Sequence, residues 1–295
     1  MSIDILGLKT KEFLRKVMSG LFRNLILFLV LIDVQSFSYS RPVKPEKQYV
    51  HRDIKAILDE HSSEIIRAVK QMKKPRKKYR DGVWNFSWLP DYFVKYDVSR
   101  IEGMNRIKHC IKKNKLHLIT LPDKRLYHIK GRPKQFTNEN YVVVVKKIIP
   151  TVNPQPLTLE HVQQLSTIIK KTTYVDMTKT NYIRIGKGKL CLIDTEGSFD
   201  GGRLIRGYLR LLGSNHVLNS DYTEDALKYL CTEIKALLKD DPTIAPFTFM
   251  RLEQYFAKQK RPLAWDYISY CHELLKEFEP TREEIEDARE SAFNK

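Results

Sequence analysis

Apolar positions along the chain change their period several times. Ile54, Ile57, Leu58, Ile65, Ile66, Val69 and Met72 recur at helical spacing, which predicts a surface helix in an otherwise basic stretch. From the Asp81-Gly82 turn signal onward the period shortens. Trp84 to Trp88 alternates aromatic with polar residues, Tyr92 to Tyr96 is a second strand candidate, and Leu116–Leu121 and Arg125–Ile129 read as strands around Pro122-Asp123. Between them Ser99 is placed to cap a helix whose apolar positions are Ile101, Met104, Ile107 and Ile111. Tyr141-Val142-Val143-Val144-Val145 is the strongest strand, because β-branched side chains suit a pleated surface. Beyond Pro150, Pro154 and Pro156 the helical period returns over Leu157–Lys171. Tyr182–Ile185 and Lys189–Ile193, separated by Gly186-Lys187-Gly188, form a β-hairpin. Helical segments follow at 203–212, 223–239, 246–258, 263–278 and 281–292. The pattern predicts an α+β protein, with a small β-rich lobe over 81–150 and a larger helical lobe over 151–295.

Composition supports a packed core. The 295 residues are 42% hydrophobic and 11% aromatic, which excludes wholesale disorder, and 12 Gly with 13 Pro exclude a collagenous or low-complexity chain. No internal repeat is visible. Cys110, Cys191, Cys231 and Cys271 are scattered and form no CxxC pair, so a zinc ribbon or a thioredoxin-type site is not expected; buried reduced thiols are. The net charge of +17 points to anionic partners: nucleotide phosphates, nucleic acid or an acidic membrane surface.

The first eighty residues stand apart. Lys9, Lys11, Arg15, Lys16 and Arg23 precede the apolar run Leu25–Ile32, and Ser36, Ser38 and Ser40 follow. That run is too short for a bilayer, which needs about 20 residues as a helix. The layout is that of a secretory signal, or of an amphipathic helix lying on the domain or on a membrane. Residues 1–40 are therefore expected to make the protein exported or membrane-associated. Residues 41–80 carry thirteen Lys+Arg against five Asp+Glu and end in Lys73-Lys74-Pro75-Arg76-Lys77-Lys78, a basic helix and linker. This run could grip nucleic acid or a membrane, but a solvated linker is the plainer reading.

Chemistry concentrates at one place. Asp176 and Asn181 lie five apart in the loop after the Leu157–Lys171 helix. Asn181 immediately precedes the first hairpin strand and Asp194 follows the second, so both belong to the open end of the hairpin. Strands are ~4.8 Å apart, which brings an amide oxygen and a carboxylate within reach of one hard cation. Mg²⁺ takes one or two such ligands and completes its shell with water and phosphate oxygens. Asp176 is then placed to accept a proton from an attacking hydroxyl. Taken singly, Asp176 and Asn181 would read as turn caps; their joint spacing with Asp194 favours the metal site.

This arrangement resembles the protein kinase-like superfamily, whose catalytic loop is His-Arg-Asp, four residues, Asn, followed by a hairpin and Asp-Phe-Gly. Asp176-x4-Asn181 matches that spacing, and Asp194-Thr195-Glu196 stands where Asp-Phe-Gly would. The resemblance implies Asp176 as catalytic base, Asn181 and Asp194 as metal ligands, Mg²⁺ and ATP as cofactors, and a two-lobed fold hinged over Lys146–Pro156. Tyr92-Phe93-Val94-Lys95 is similar to the family's Val-Ala-Ile-Lys strand, which implies that Lys95 holds nucleotide phosphates and Glu102 pairs with it. Several features depart from the family. Tyr174-Val175 replaces His-Arg, Thr195 replaces the Phe, Thr178 and Lys179 displace the usual lysine, no Gly-rich loop precedes Lys95, and Glu102 follows it by only seven residues. His51-Arg52-Asp53 copies the family's letters, but Leu58 stands five after Asp53 and no hairpin ending in Asp follows, so it reads as a helix start. Glu196 and Gly201-Gly202 read as loop and turn, and Trp84, Trp88 and Trp265 as packing residues.

The resemblance implies a divergent phosphotransferase using Mg-ATP, with a protein, small molecule or lipid as acceptor. The alternatives are a catalytically inactive kinase-like binding module and a basic nucleic-acid binder acting through 41–80. An exported protein would meet little ATP, so residues 1–40 act as an anchor with the domain on the cytosolic side, the protein reaches a nucleotide-rich compartment, or its target lies in a secretory pathway.

Overall fold

The computed structural model describes residues 49–72, 82–152, 155–195, 204–214, 217–218, 222–257 and 267–293. Contacts divide the chain into Met1–Glu46 and Lys47–Lys295, and all described residues belong to the second unit. The signal-like segment 1–40, the basic run Lys73–Lys78, Glu196, Gly201, Gly202 and Trp265 therefore lie outside them. Among the described residues no helix is long and apolar enough to cross a membrane.

The elements in order are α1 (Arg52–Glu60), α2 (Ser62–Met72), β1 (Val83–Trp84), β2 (Tyr92–Lys95), α3 (Ser99–Lys113), β3 (Ile119–Thr120), β4 (Lys124–His128) and β5 (Tyr141–Lys146). Then come α4 (Leu159–Thr172), β6 (Tyr182–Ile185), β7 (Lys189–Leu192), α5 (Leu204–Leu212), β8 (Gly213–Ser214) and β9 (Val217–Leu218). The chain closes with α6 (Glu224–Asp240), α7 (Ala245–Ala257), α8 (Tyr267–Leu275) and α9 (Arg282–Phe293). This is a mixed α+β protein, as the periodicity predicts.

The first sheet is antiparallel in the order β1-β2-β5-β4. Its β5 strand is apolar at successive positions because both faces are covered. Val142 and Val144, with Val94, Tyr127 and Ile129, pack against Leu58, Ile65 and Val69 of α1 and α2. Val143 and Val145, with Leu126, pack against Ile101 and Met104 of α3. Such two-sided burial turns an alternating pattern into a continuous one. The predicted surface helix is thus two helices, broken at His61, whose inner face is core. As predicted, His51-Arg52-Asp53 begins a helix, with Asp53 in its first turn.

Three local expectations change. Of the Trp84–Trp88 segment only Trp84 is strand, as the second residue of Val83–Trp84; the chain turns at Phe86, whose carbonyl accepts from the Leu89 N–H at 3.1 Å. The aromatic residues stack instead, Phe86 on Trp88 at 4.6 Å and Trp88 on His61 at 4.3 Å. Ser99 lies inside its helix, and the Asp97 carboxylate accepts from its N–H at 2.9 Å. Of Leu116–Leu121, only Ile119–Thr120 is extended, and it runs parallel to β7 to give a second sheet, β3-β7-β6.

The helices from α4 onward share one core with the inner end of α3. Ile168, Ile169, Tyr208, Leu212, Leu230 and Ile234 are fully buried within it. All four cysteines are free and buried, as the sequence predicts. The polar centre of this core is a cluster of hydroxyls: Ser166 Oγ lies 2.6 Å from the Tyr208 hydroxyl and accepts from that of Tyr229 at 3.2 Å. Burial pushes the Tyr229 phenol up to about 12, against the hydrogen bond shared with Ser166 and with the Glu233 carboxylate adding to the rise. Its neutral form contributes stability that is fully present below the ordinary tyrosine pKa of about 10 and is lost as pH climbs from there through about 12. Urea unfolding across that window is expected to show stability falling with pH, less steeply in Tyr229→Phe; equal slopes in the two proteins would remove this explanation.

Candidate functional site

Helix α4 ends at Thr173, whose left-handed backbone (φ 56°) turns the chain sharply into the following loop. Tyr174, Val175 and Met177 are then buried, at 0, 1 and 0% exposure. They clamp the loop from both sides of Asp176, whose side chain stays 28% exposed. One 3-10 turn, Lys179–Asn181, leads into β6. The Asn181 side-chain amide donates to the Asp176 carbonyl at 2.9 Å, which fixes the amide, and its Oδ1 accepts from the Thr180 hydroxyl at 3.5 Å. The Ile193 N–H donates to the Asn181 carbonyl at 2.9 Å, closing the open end of the β6–β7 hairpin. Asp194 is the next residue. The backbone therefore places Asp176, Asn181 and Asp194 near one end of one hairpin. At the other end, Lys187 and Gly188 take positive φ (62° and 64°), and His161 of α4 meets the Gly188 carbonyl at 2.6 Å.

Each carboxylate has an arginine partner that sequence reasoning missed. Arg100, in the first turn of α3, donates from Nη1 to Asp194 Oδ1 at 2.5 Å, and Tyr174 donates its hydroxyl to the Asp194 carbonyl at 2.5 Å. Arg210 of α5 donates from Nη1 to Asp176 Oδ1 at 2.9 Å. Thr195, which follows Asp194, is fully buried. Its hydroxyl donates to the Arg100 carbonyl at 2.8 Å and accepts from Lys124 Nζ at 2.7 Å.

Lys95 ends β2 with 8% exposure, directly opposite Val143. Lys124 lies opposite Val145. Opposed residues share a face, so both lysines lie on the side of the sheet that α3 covers. Among the described residues the buried charged side chains are Lys95, Arg100 and Lys124, all cations. Glu102 is exposed and pairs with Arg106, one turn along its own helix, at 2.7 Å. Its ion pair is thus local, and the α3 residue that reaches the hairpin loop is Arg100. Burial pushes the Cys191 thiol up to about 11, against the pull of Lys124, so this neighbouring cysteine is a packing residue and a poor nucleophile.

The donors suit a hard cation. Asn181 offers an amide oxygen and Asp194 a carboxylate, which are oxygen ligands of the kind Mg²⁺ prefers. Among the described residues no three His, Cys, Asp or Glu side chains group to hold a metal by themselves. A cation here would complete its shell with phosphate and water oxygens.

Comparison with family models, with curated proteins and with solved structures finds no match for this chain.

Proposed function

We propose that this chain is a divergent protein kinase-like phosphotransferase that uses Mg-ATP. In this reading the four-stranded sheet and α3 form the small lobe and α4 onward the larger one. The observation that carries it is the meeting of Asp176, Asn181 and Asp194 at the open end of the β6–β7 hairpin. Asn181 and Asp194 would hold the cation, which when bound neutralises charge on the transferring phosphates. Asp176 would accept the proton of the acceptor hydroxyl, with Arg210 fixing its carboxylate. Lys95, buried on the α3 side of the sheet, would face the nucleotide phosphates. The acceptor is a protein, a small molecule or a lipid, and the N-terminal segment would place the protein at a membrane or outside the cytosol.

A second reading is a catalytically inactive binding module on the same fold. It is favoured by the two arginines, which occupy the carboxylates that catalysis would need. A thermal shift with Mg-ATP separates the two: a rise that vanishes in Asp194→Ala supports the enzyme, and no response to nucleotide favours the module. Lys95→Ala is expected to weaken Mg-ATP binding by roughly 10- to 100-fold, the worth of a charge-assisted hydrogen bond. Unchanged affinity by calorimetry would make Lys95 a packing residue.

A further inference from the structure

The Arg100–Asp194 ion pair joins the start of α3 to a loop 94 residues further along the chain. The Arg100 side chain is 4% exposed and that of Asp194 25% exposed, so the cation is buried while its carboxylate keeps an open side. A second contact ties the same turn to the same loop, because the Arg100 carbonyl accepts from Thr195, which accepts in turn from Lys124 of β4. The first turn of α3 is therefore fastened to residues 194–195 through both side chain and backbone.

A guanidinium and a divalent cation compete for one carboxylate. With Arg100 on Oδ1, a cation on either oxygen would stand within a carboxylate's width of the guanidinium, and the two positive charges repel. We propose that Arg100 is the resting partner of Asp194, and that a divalent cation entering at Asn181 and Asp194 displaces the guanidinium and loosens the first turn of α3. This rests on the reading of Asn181 and Asp194 as cation ligands. Arg100 is thus a positioning residue that holds the Asp194 carboxylate at rest and lowers its affinity for a cation arriving alone. The arrangement makes α3 the element that reports on occupancy of the site.

Manganese alone serves as the probe, its free concentration followed by electron paramagnetic resonance in the full-length chain. Arg100→Met is expected to bind Mn²⁺ about tenfold more tightly than the unaltered protein, and Asp194→Asn to abolish binding in either background. Equal or weaker binding in Arg100→Met, still dependent on Asp194, overturns the competition and leaves the cation site standing. Binding that does not depend on Asp194 in either background overturns both. Should Arg100→Met not fold, hydrogen exchange in the unaltered protein decides. Amides of residues 101–107 exchange faster at saturating Mn²⁺ if the guanidinium is displaced, and unchanged protection overturns the proposal.

Discussion

Asp176→Asn is expected to cut phosphoryl transfer from Mg-ATP by about 10²- to 10⁴-fold while leaving nucleotide affinity within a few fold. That range is the usual worth of a positioned general base. The substitution is nearly isosteric, and the contact that fixes Asn181 runs to the Asp176 backbone carbonyl, which the change does not touch. It removes the negative charge that faces Arg210 at 2.9 Å and the lone pair that would take the proton. Because Asp176 is bracketed by the buried Val175 and Met177, the loop holds its course without the carboxylate. The measurement is labelled-phosphate transfer to a generic acceptor protein, or autophosphorylation, beside a binding isotherm for Mg-ATP. Transfer unaltered by the substitution would reduce Asp176 to a helix-following turn residue.

Removal of residues 1–80 is expected to abolish cooperative folding. A basic linker could be cut away at little cost, but α1 and α2 are part of the structure. Leu58, Ile65 and Val69 are buried at 0, 0 and 1% exposure, and their loss uncovers Tyr127, Val142 and Val144 on the first sheet. Each such side chain contributes about 1.5–3 kcal/mol on burial. The sum is on the order of 10 kcal/mol, the size of a domain's whole stability. Polar anchors go with it, since the Tyr127 hydroxyl donates to Asp59 at 2.9 Å and Trp88 Nε1 to Glu64 at 2.9 Å. Circular dichroism melting reads the result: loss of a sigmoidal transition is expected, and a protein of residues 81–295 melting as sharply as the full chain would contradict the packing. The same deletion bears on nucleic-acid binding through 41–80, because that reading needs a folded remainder that merely loses affinity.

Strong periodicity made most elements legible. The predicted Leu157–Lys171 helix is observed as Leu159–Thr172, and the hairpin lies where alternating residues flank Gly186-Lys187-Gly188. The position of Asn181 and Asp194 beside the open end of the hairpin was legible because an antiparallel hairpin leaves only one place for the residues just outside its strands. The aromatic run at Trp84–Trp88 misled because its rings satisfy one another by stacking, which pattern alone cannot tell from a half-buried strand. The three site cations were hidden for a different reason. Arg210 reaches Asp176 from a helix 34 residues on, and no local pattern announces such a contact. Arg100 did leave a trace: it shares the apolar stripe with Met104, Ile107 and Ile111, at helical spacing. Lys124 sits two residues before the buried Leu126, on the same face of β4. A charged residue standing in register with core positions is the signal that would have found both.

The most direct test of the account is an isothermal titration of Mg-ATP into the full-length protein and into Asp194→Ala. Saturable binding to the first, weakened at least tenfold or lost in the second, is the predicted result. Absence of binding to the unaltered protein, or equal affinity in both, would contradict the assignment of the hairpin mouth as a site for a metal-bound nucleotide.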